Sequence, residues 1–252
     1  QVQAQTHSSP TLKSATLIRR NQEHSPAATR SVHTSLLTLT RDGRTLFAVH
    51  PWSGEVVRLD TSGTAVRVVA TASTGGEPRC VALWPDEKRL CVPLPDKRQI
   101  VALDADLLDE LARFSIPGTP RAVLPSGDGA GLFVADFDRD RVLRLDADTG
   151  EIEAESDTII RPACLALAPQ QRELYTASFR TGQIVVLNDE CEVLRRLPAP
   201  AQLNQCRSIT LGPDGRLYAP QTRSDTAVGG RMFDRSVFPA IAAADPRAHE
   251  VS

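Results

Sequence analysis

A leucine that opens a short apolar run returns at Leu46, Leu90, Leu132, Leu174 and Leu217, a period of about 43 residues. Each follows a turn-forming triplet: Arg41-Asp42-Gly43, Pro85-Asp86-Glu87, Gly127-Asp128-Gly129, Pro169-Gln170-Gln171 and Pro213-Asp214-Gly215. Fourteen residues after the first four of these leucines stand Asp60, Asp104, Asp146 and Asn188. An Asx side chain at that point can accept a hydrogen bond from its own backbone two residues on and start a turn.

The central unit, Thr119 to Thr158, shows what is repeated. Arg121–Leu124, Leu132–Ala135, Val142–Leu145 and Glu151–Glu155 read as four short strands, separated by turns rich in Gly and Asp. Units of the same kind cover Ser35–Ala72, Pro78–Ile116 and Pro162–Leu197, and a fifth begins at Cys206. A lone four-stranded sheet cannot bury both faces, whereas sheets packed radially bury each face on a neighbour. The expected fold is therefore all-β: a β-propeller of four-stranded antiparallel blades, with about five blade repeats visible. The five repeat leucines should be buried between blades. Residues 1–30 lack the repeat and read as an N-terminal arm, with 15–19 a candidate closing strand; blades occupy 31–252.

The repeat resembles the YVTN-repeat, YncE-like propellers. The resemblance rests on Pro78 to Asp86 (PRCVALWPD) followed by Leu90, on Gly118-Thr119-Pro120-Arg121, and on Pro213 to Tyr218 (PDGRLY), and covers roughly residues 33 to 252. It implies a seven-bladed ring, of which this chain supplies part, and an exported bacterial protein, periplasmic or extracellular. The fifth unit departs from the pattern. Asp245, its counterpart of Asp60, follows Leu217 by 28 residues instead of 14, so about fourteen residues are inserted within 221–238. Thr222-Arg223-Ser224, Phe233-Asp234 and Val237-Phe238-Pro239 there resemble exported YVTN-type propellers joined to c-type cytochrome or di-haem peroxidase domains. That implies a protein partner or tethered redox domain, with any haem in an adjoining domain and no cofactor in this chain.

Composition narrows the classes. A net charge of −2 and a pI of about 6.2 do not supply the basic field that a nucleic acid requires. No apolar run reaches the length of a membrane span. The five cysteines (Cys80, Cys91, Cys164, Cys191 and Cys206) form no Cys-x-x-Cys, which leaves no covalent haem or zinc-ribbon motif within these residues. They read as small buried hydrophobes, with a Cys80–Cys91 disulfide conceivable across one hairpin.

Two candidate sites follow. Arg79, Arg121 and Arg207 share one repeat position at the start of the innermost strand, so in a propeller they ring the channel. There, with Asp136 and His50 at the ends of second strands, they read as an anion site, since guanidinium offers a fixed fork of donors; the alternative is that each arginine ties neighbouring blades together. The insertion, with Arg223, Arg231, Phe233, Arg235 and Phe238, has the aromatic and arginine composition of a partner-binding surface. Asp136–Asp140 begins like a calcium loop but has Arg141 and Ala147 where glycine and glutamate are needed, so no metal site is expected. No Gly-x-Ser-x-Gly elbow or Gly-rich phosphate loop occurs. The expected function is a non-catalytic scaffold or binding module serving a haem redox partner. The alternative is a lactonase-type propeller hydrolase with a channel site built on Asp136, His50 and Arg121.

Overall fold

The described residues form five antiparallel sheets arranged as propeller blades. The computed structural model describes residues 32–168, 172–197, 203–224 and 237–247. A short strand, β1 (Val32–His33), precedes the blades. Blade one is β2 (Leu37–Leu39), β3 (Thr45–His50), β4 (Glu55–Asp60) and β5 (Arg67–Ser73). Blade two is β6 (Ala82–Leu83), β7 (Arg89–Leu94), β8 (Gln99–Asp104) and β9 (Glu110–Ser115). Blade three is β10 (Pro120–Pro125), β11 (Gly131–Asp136), β12 (Arg141–Asp146) and β13 (Ile152–Glu155). Blade four is β14 (Pro162–Ala168), β15 (Glu173–Ser178), β16 (Ile184–Leu187) and β17 (Val193–Leu197). Blade five is β18 (Leu203–Asn204), β19 (Thr210–Leu211), β20 (Leu217–Ser224) and β21 (Val237–Ala244).

The turns form as the Asx positions require. Asp60 Oδ1 accepts from Ser62 N at 2.9 Å, Asp104 Oδ1 from Asp106 N at 2.8 Å and Asp146 Oδ1 from Asp148 N at 3.0 Å. Asn188 Oδ1 accepts from Glu190 N at 3.1 Å and Asp245 Oδ1 from Arg247 N at 2.9 Å. One turn is thus built five times by the same side-chain bond, and it fixes where the third strand of each unit stops.

Alternation along the strands sends successive side chains to opposite blade faces. In blade two, Leu90, Val92 and Leu94 pack with Phe47, Val49 and Val56 of blade one, while Cys91, Ile100 and Ala102 join the cluster shared with blade three. Leu90, Leu132, Leu174 and Leu217 are fully buried. Leu46 is not; it is half-buried. The repeat position points towards the preceding blade, and among the described residues none packs there. The register places Leu37, Leu39, Leu59 and Val68 on that face too, and Val68 is 64% exposed. The opposite, outgoing face of blade five is also open: Pro220 is exposed and Ile241, paired to it, is 72% exposed.

Two features depart from the repeat reading. First, Val32–Ser35 is not part of blade one. β1 adds to the inner edge of β14 in blade four, pairing Val32 with Leu167 and His33 with Ala166. Thr34, buried, donates from N to Leu165 O at 2.8 Å, and its Oγ1 accepts from Leu165 N at 2.9 Å. Ser35 then bridges to Val81 in blade two. The segment crosses the space between inner strands, so the central channel is bridged by backbone there. The candidate strand at 15–19 lies outside the described residues.

Second, the inserted stretch begins as strand, not loop. β20 and β21 stay paired from Leu217–Ala244 out to Ser224–Val237, which makes a hairpin longer than its counterparts in the other blades. The added length of β20 is met by β18, which pairs Leu203 with Arg223 and Asn204 with Thr222. No strand pairs outside β21 among the described residues.

Candidate functional site

In an antiparallel meander, the start of the first strand and the turn between second and third strands lie at the same blade end. Arg79, Arg121 and Arg207 stand at strand starts. Phe137 and Phe179 follow β11 and β15. The β20–β21 hairpin and Trp52, fully exposed after β3, leave from this end as well.

Arg121 is aimed by a local irregularity. The β10–β11 register shifts between Pro120 and Ala122, which makes Arg121 a bulged residue. A bulge leaves one residue out of the ladder and turns its side chain away from the pleat. The half-buried guanidinium lies 5.6 Å from the centre of the Phe137 ring. Arg161 covers the same ring at 5.0 Å. Phe137 meets Phe179 edge to face at 5.8 Å, and Arg207 lies over Phe179 at 5.5 Å. Three guanidinium groups thus gather on two rings that touch each other, across blades three, four and five, contacts that the ring quadrupole favours.

The stack is held by backbone. Phe137 N donates to Thr119 O at 3.0 Å, Phe179 N to Arg161 O at 2.9 Å, and Gln205 N to Phe179 O at 2.6 Å. Arg161 N donates to Asp140 Oδ1 at 2.8 Å, although Arg161 has a φ of 45°, in the left-handed region that side chains avoid. Asp138 takes Thr119 Oγ1 as a donor at 2.7 Å and lies 3.6 Å from Arg161. The acids of the Asp136–Asp140 turn are therefore engaged with protein donors.

Electrostatically the site is short of anions. Burial, then the charges of Arg79 and Arg207, push the Arg121 pKa below the ordinary guanidinium value. Arg79 is offset by Glu77 at 2.8 Å. Among the described residues no carboxylate pairs with Arg121 or Arg207. The geometry thus draws Arg79, Arg121 and Arg207 into one electrostatic neighbourhood. Beside them Arg161, Phe179, Arg180, Asn204 and Gln205 line an open recess of about 410 Å³. A second recess, of about 330 Å³ at the other end of blade one, is lined by Arg44, Thr45, Arg58, Asp60, Ser62 and Val69 and carries no such set.

Two of the expected members do not join. Asp136 is completely buried; its Oδ1 accepts from Thr119 N at 2.8 Å and its Oδ2 from Arg141 Nε at 3.1 Å. It is a structural acid with no oxygen turned towards a ligand, which corrects its place in the channel set. His50 is exposed at the β3–β4 turn, and no hydrogen bond of the described residues joins it to the arginines. In the hairpin, Arg223 and Phe238 are register partners on adjacent strands; Arg231, Phe233 and Arg235 lie outside the described residues. Phe137, Phe179 and Arg161 were missed by the alignment of arginines alone. The two phenylalanines were detectable, since each directly follows the end of a second strand, one repeat apart.

No protein-family model matches the chain, and no curated protein sequence matches it. Solved structures do resemble it. One is the Kuenenia stuttgartiensis hydrazine synthase, with a TM-score of 0.75 at 16% identity, covering 84% of this chain and 62% of that one. A protein of unknown function from Desulfotomaculum acetoxidans DSM 771 gives a TM-score of 0.62 at 15% identity, over 79% of this chain and 67% of that one. Virginiamycin B lyase from Staphylococcus aureus gives 0.60 at 13% identity, over 88% of this chain and 72% of that one. The chain spans less than two thirds of the length of the hydrazine synthase chain. At these identities the likeness is one of fold.

Proposed function

We propose that this chain is a non-catalytic β-propeller binding module of an exported bacterial protein, and that its arginine–phenylalanine end docks an acidic surface of a protein partner. The observation that carries this is Arg121: a half-buried guanidinium, facing two further arginines and an aromatic ring, with no carboxylate partner among the described residues. Such a charge is costly to hold unless an anion completes it. The two phenylalanine rings supply apolar contact beside the charges, the mixture that binding hot spots use. A haem redox domain is the specific partner suggested by the Thr222–Ser224 and Val237–Pro239 resemblance, in a periplasmic or extracellular setting. The proposal includes a seven-bladed ring, in which two further blades cover the open faces of blades one and five.

The hydrolase reading, with a channel site, finds less support. Its acid, Asp136, is consumed by Thr119 and Arg141, and Val32–Ser35 bridges the channel.

The test is fluorescence anisotropy of a labelled glutamate-rich peptide with the whole chain at low salt, against a glutamine-rich control. Arg121→Gln with Arg207→Gln should weaken the glutamate peptide by roughly tenfold or more, with wild-type affinity falling as salt rises. Equal affinities for the two peptides, or an unaffected double variant, would overturn the reading.

A further inference from the structure

In blades one to four the outermost strand is bulged at one residue against the third strand. The register steps past Val69 beside Arg58, past Leu111 beside Ala102, past Glu153 beside Arg144 and past Leu194 beside Val186. In three of these blades the two positions agree in chemistry. Leu111 and Leu194 accompany the apolar Ala102 and Val186, and Glu153 Oε2 accepts from Arg144 Nε at 2.9 Å. Blade one breaks the rule, because there an arginine stands beside a valine.

In other respects blades one and three are built alike at this place. Arg144 Nη1 reaches the next blade and donates to Asp189 O at 3.1 Å; Arg58 Nη1 likewise donates to Asp106 O at 2.7 Å. Arg58 Nη2 also donates to Asp106 Oδ1 at 3.1 Å. What blade one lacks is the carboxylate. Arg58 Nε is buried, and among the described residues nothing accepts from it. A shielded donor left unmatched is costly. Arg58 and the exposed Val69 both line the recess of about 330 Å³, together with Arg44, Thr45, Asp60 and Ser62. Asp60, the acid of that lining, is engaged by Ser62, whose N and Oγ donate to its Oδ1 at 2.9 and 2.6 Å. Two guanidinium groups in the lining thus outnumber one carboxylate.

We propose that this recess is a binding site for a small organic acid, whose carboxylate takes the place on Arg58 Nε that Glu153 takes on Arg144. The Arg58 Nη atoms are committed to Asp106, so Nε offers one charge-assisted bond, and Arg44 brings a second cation. The volume is at the lower end of the range for small-molecule sites, and the lining holds no aromatic ring, which favours a short aliphatic acid. Val69 does not bar the way. It is the bulged residue of an outermost strand, left out of the ladder, with no strand pairing outside it among the described residues, so its side chain can give way.

The experiment follows the Arg58 Nε–Hε signal of the whole isotope-labelled chain by NMR, assigned through its own side chain to the backbone. Succinate, titrated at constant ionic strength, should shift that signal saturably, and succinamide, its uncharged analogue, should not. Val69→Glu installs the missing acceptor from within, so it should move the Arg58 signal without ligand and abolish the succinate response; Val69→Leu should preserve that response. No saturable shift with succinate, an equal shift with succinamide, or a response that survives Val69→Glu overturns the proposal. So does a response to a glutamate-rich peptide but not to succinate, which would assign the recess to a protein partner. The titration of the unaltered chain decides the matter even if a variant fails to fold.

Discussion

Leu46 and Leu90 occupy the same position in successive blades, yet Leu90 is completely buried while Leu46 is half-buried. Their chemistry and local register are the same: each pairs with a leucine on the next strand, Leu59 for Leu46 and Leu103 for Leu90. What differs is the neighbour. Leu90 has blade one to pack against; Leu46 points to the open side of that blade.

Truncation should separate the two. Leu90→Ala removes a packed side chain and leaves a cavity, and is expected to cost about 2–5 kcal/mol. Leu46→Ala should cost about 1 kcal/mol or less, because much of its surface stays in water. Urea unfolding of both variants checks this; equal losses would mean that blade one is covered in solution.

Gly118 tests the buried acid. A Cβ added there would lie 1.8 Å from Asp136 Oδ1, so alanine must displace the carboxylate from Thr119 N and Arg141. Gly118→Ala is expected to destabilise the chain by roughly 2 kcal/mol or more, since a buried charged group loses its hydrogen bonds. Gly215, with nothing within 4 Å of its added Cβ, is a comparison without a clash, though its φ of +78° makes alanine there strained as well. A loss at Gly118 no larger than at Gly215 would show that the carboxylate moves freely.

The arginine set predicts a trade of stability against binding. Arg207→Gln takes a like charge away from Arg121, so it should leave melting unchanged or slightly higher at low salt, while weakening the glutamate-rich peptide. Melting that falls clearly on this substitution would mean that Arg207 ties the blades together rather than serving a ligand.

Alkali should unfold the reduced chain early. Burial pushes the thiols of Cys80 and Cys191 up to about 12, and those of Cys91 and Cys164 are also raised. Folded values above unfolded ones mean that the protonated thiol is the native form. That stability is fully present below the ordinary thiol pKa and is lost as pH rises from about 9 towards 12. Melting temperature should be flat near neutrality and fall above about pH 9, and Cys80→Ala should flatten the fall. A curve unchanged through pH 11 would contradict the burial of these thiols.

The blades were legible in the sequence because their signals are local. A leucine after a turn, and an Asx fourteen residues later, act within one unit and recur in the next. Asp60, Asp104, Asp146, Asn188 and Asp245 all make the backbone bond expected of them. The arginine set was legible for the same reason, as a shared repeat position. Two things were not. Asp136 carries the same letter whether it faces a ligand or Arg141, and only the close approach of Gly118 shows which. The pairing of Val32 and His33 with blade four has no local signature, because its partners lie far along the chain and β1 is only two residues long.

The bond between Thr34 and Leu165 joins residues 131 positions apart. During synthesis the ribosome must deliver three whole blades before Thr34 has anything to hold. The strand β1 therefore waits, unpaired, until the inner edge of blade four appears. Closing so long a loop is slow compared with forming any one hairpin. The centre of the molecule is thus expected to be the last part to settle, and a pulse of hydrogen exchange early in refolding should find Thr34 still open when the hairpins of blades two and three are already protected.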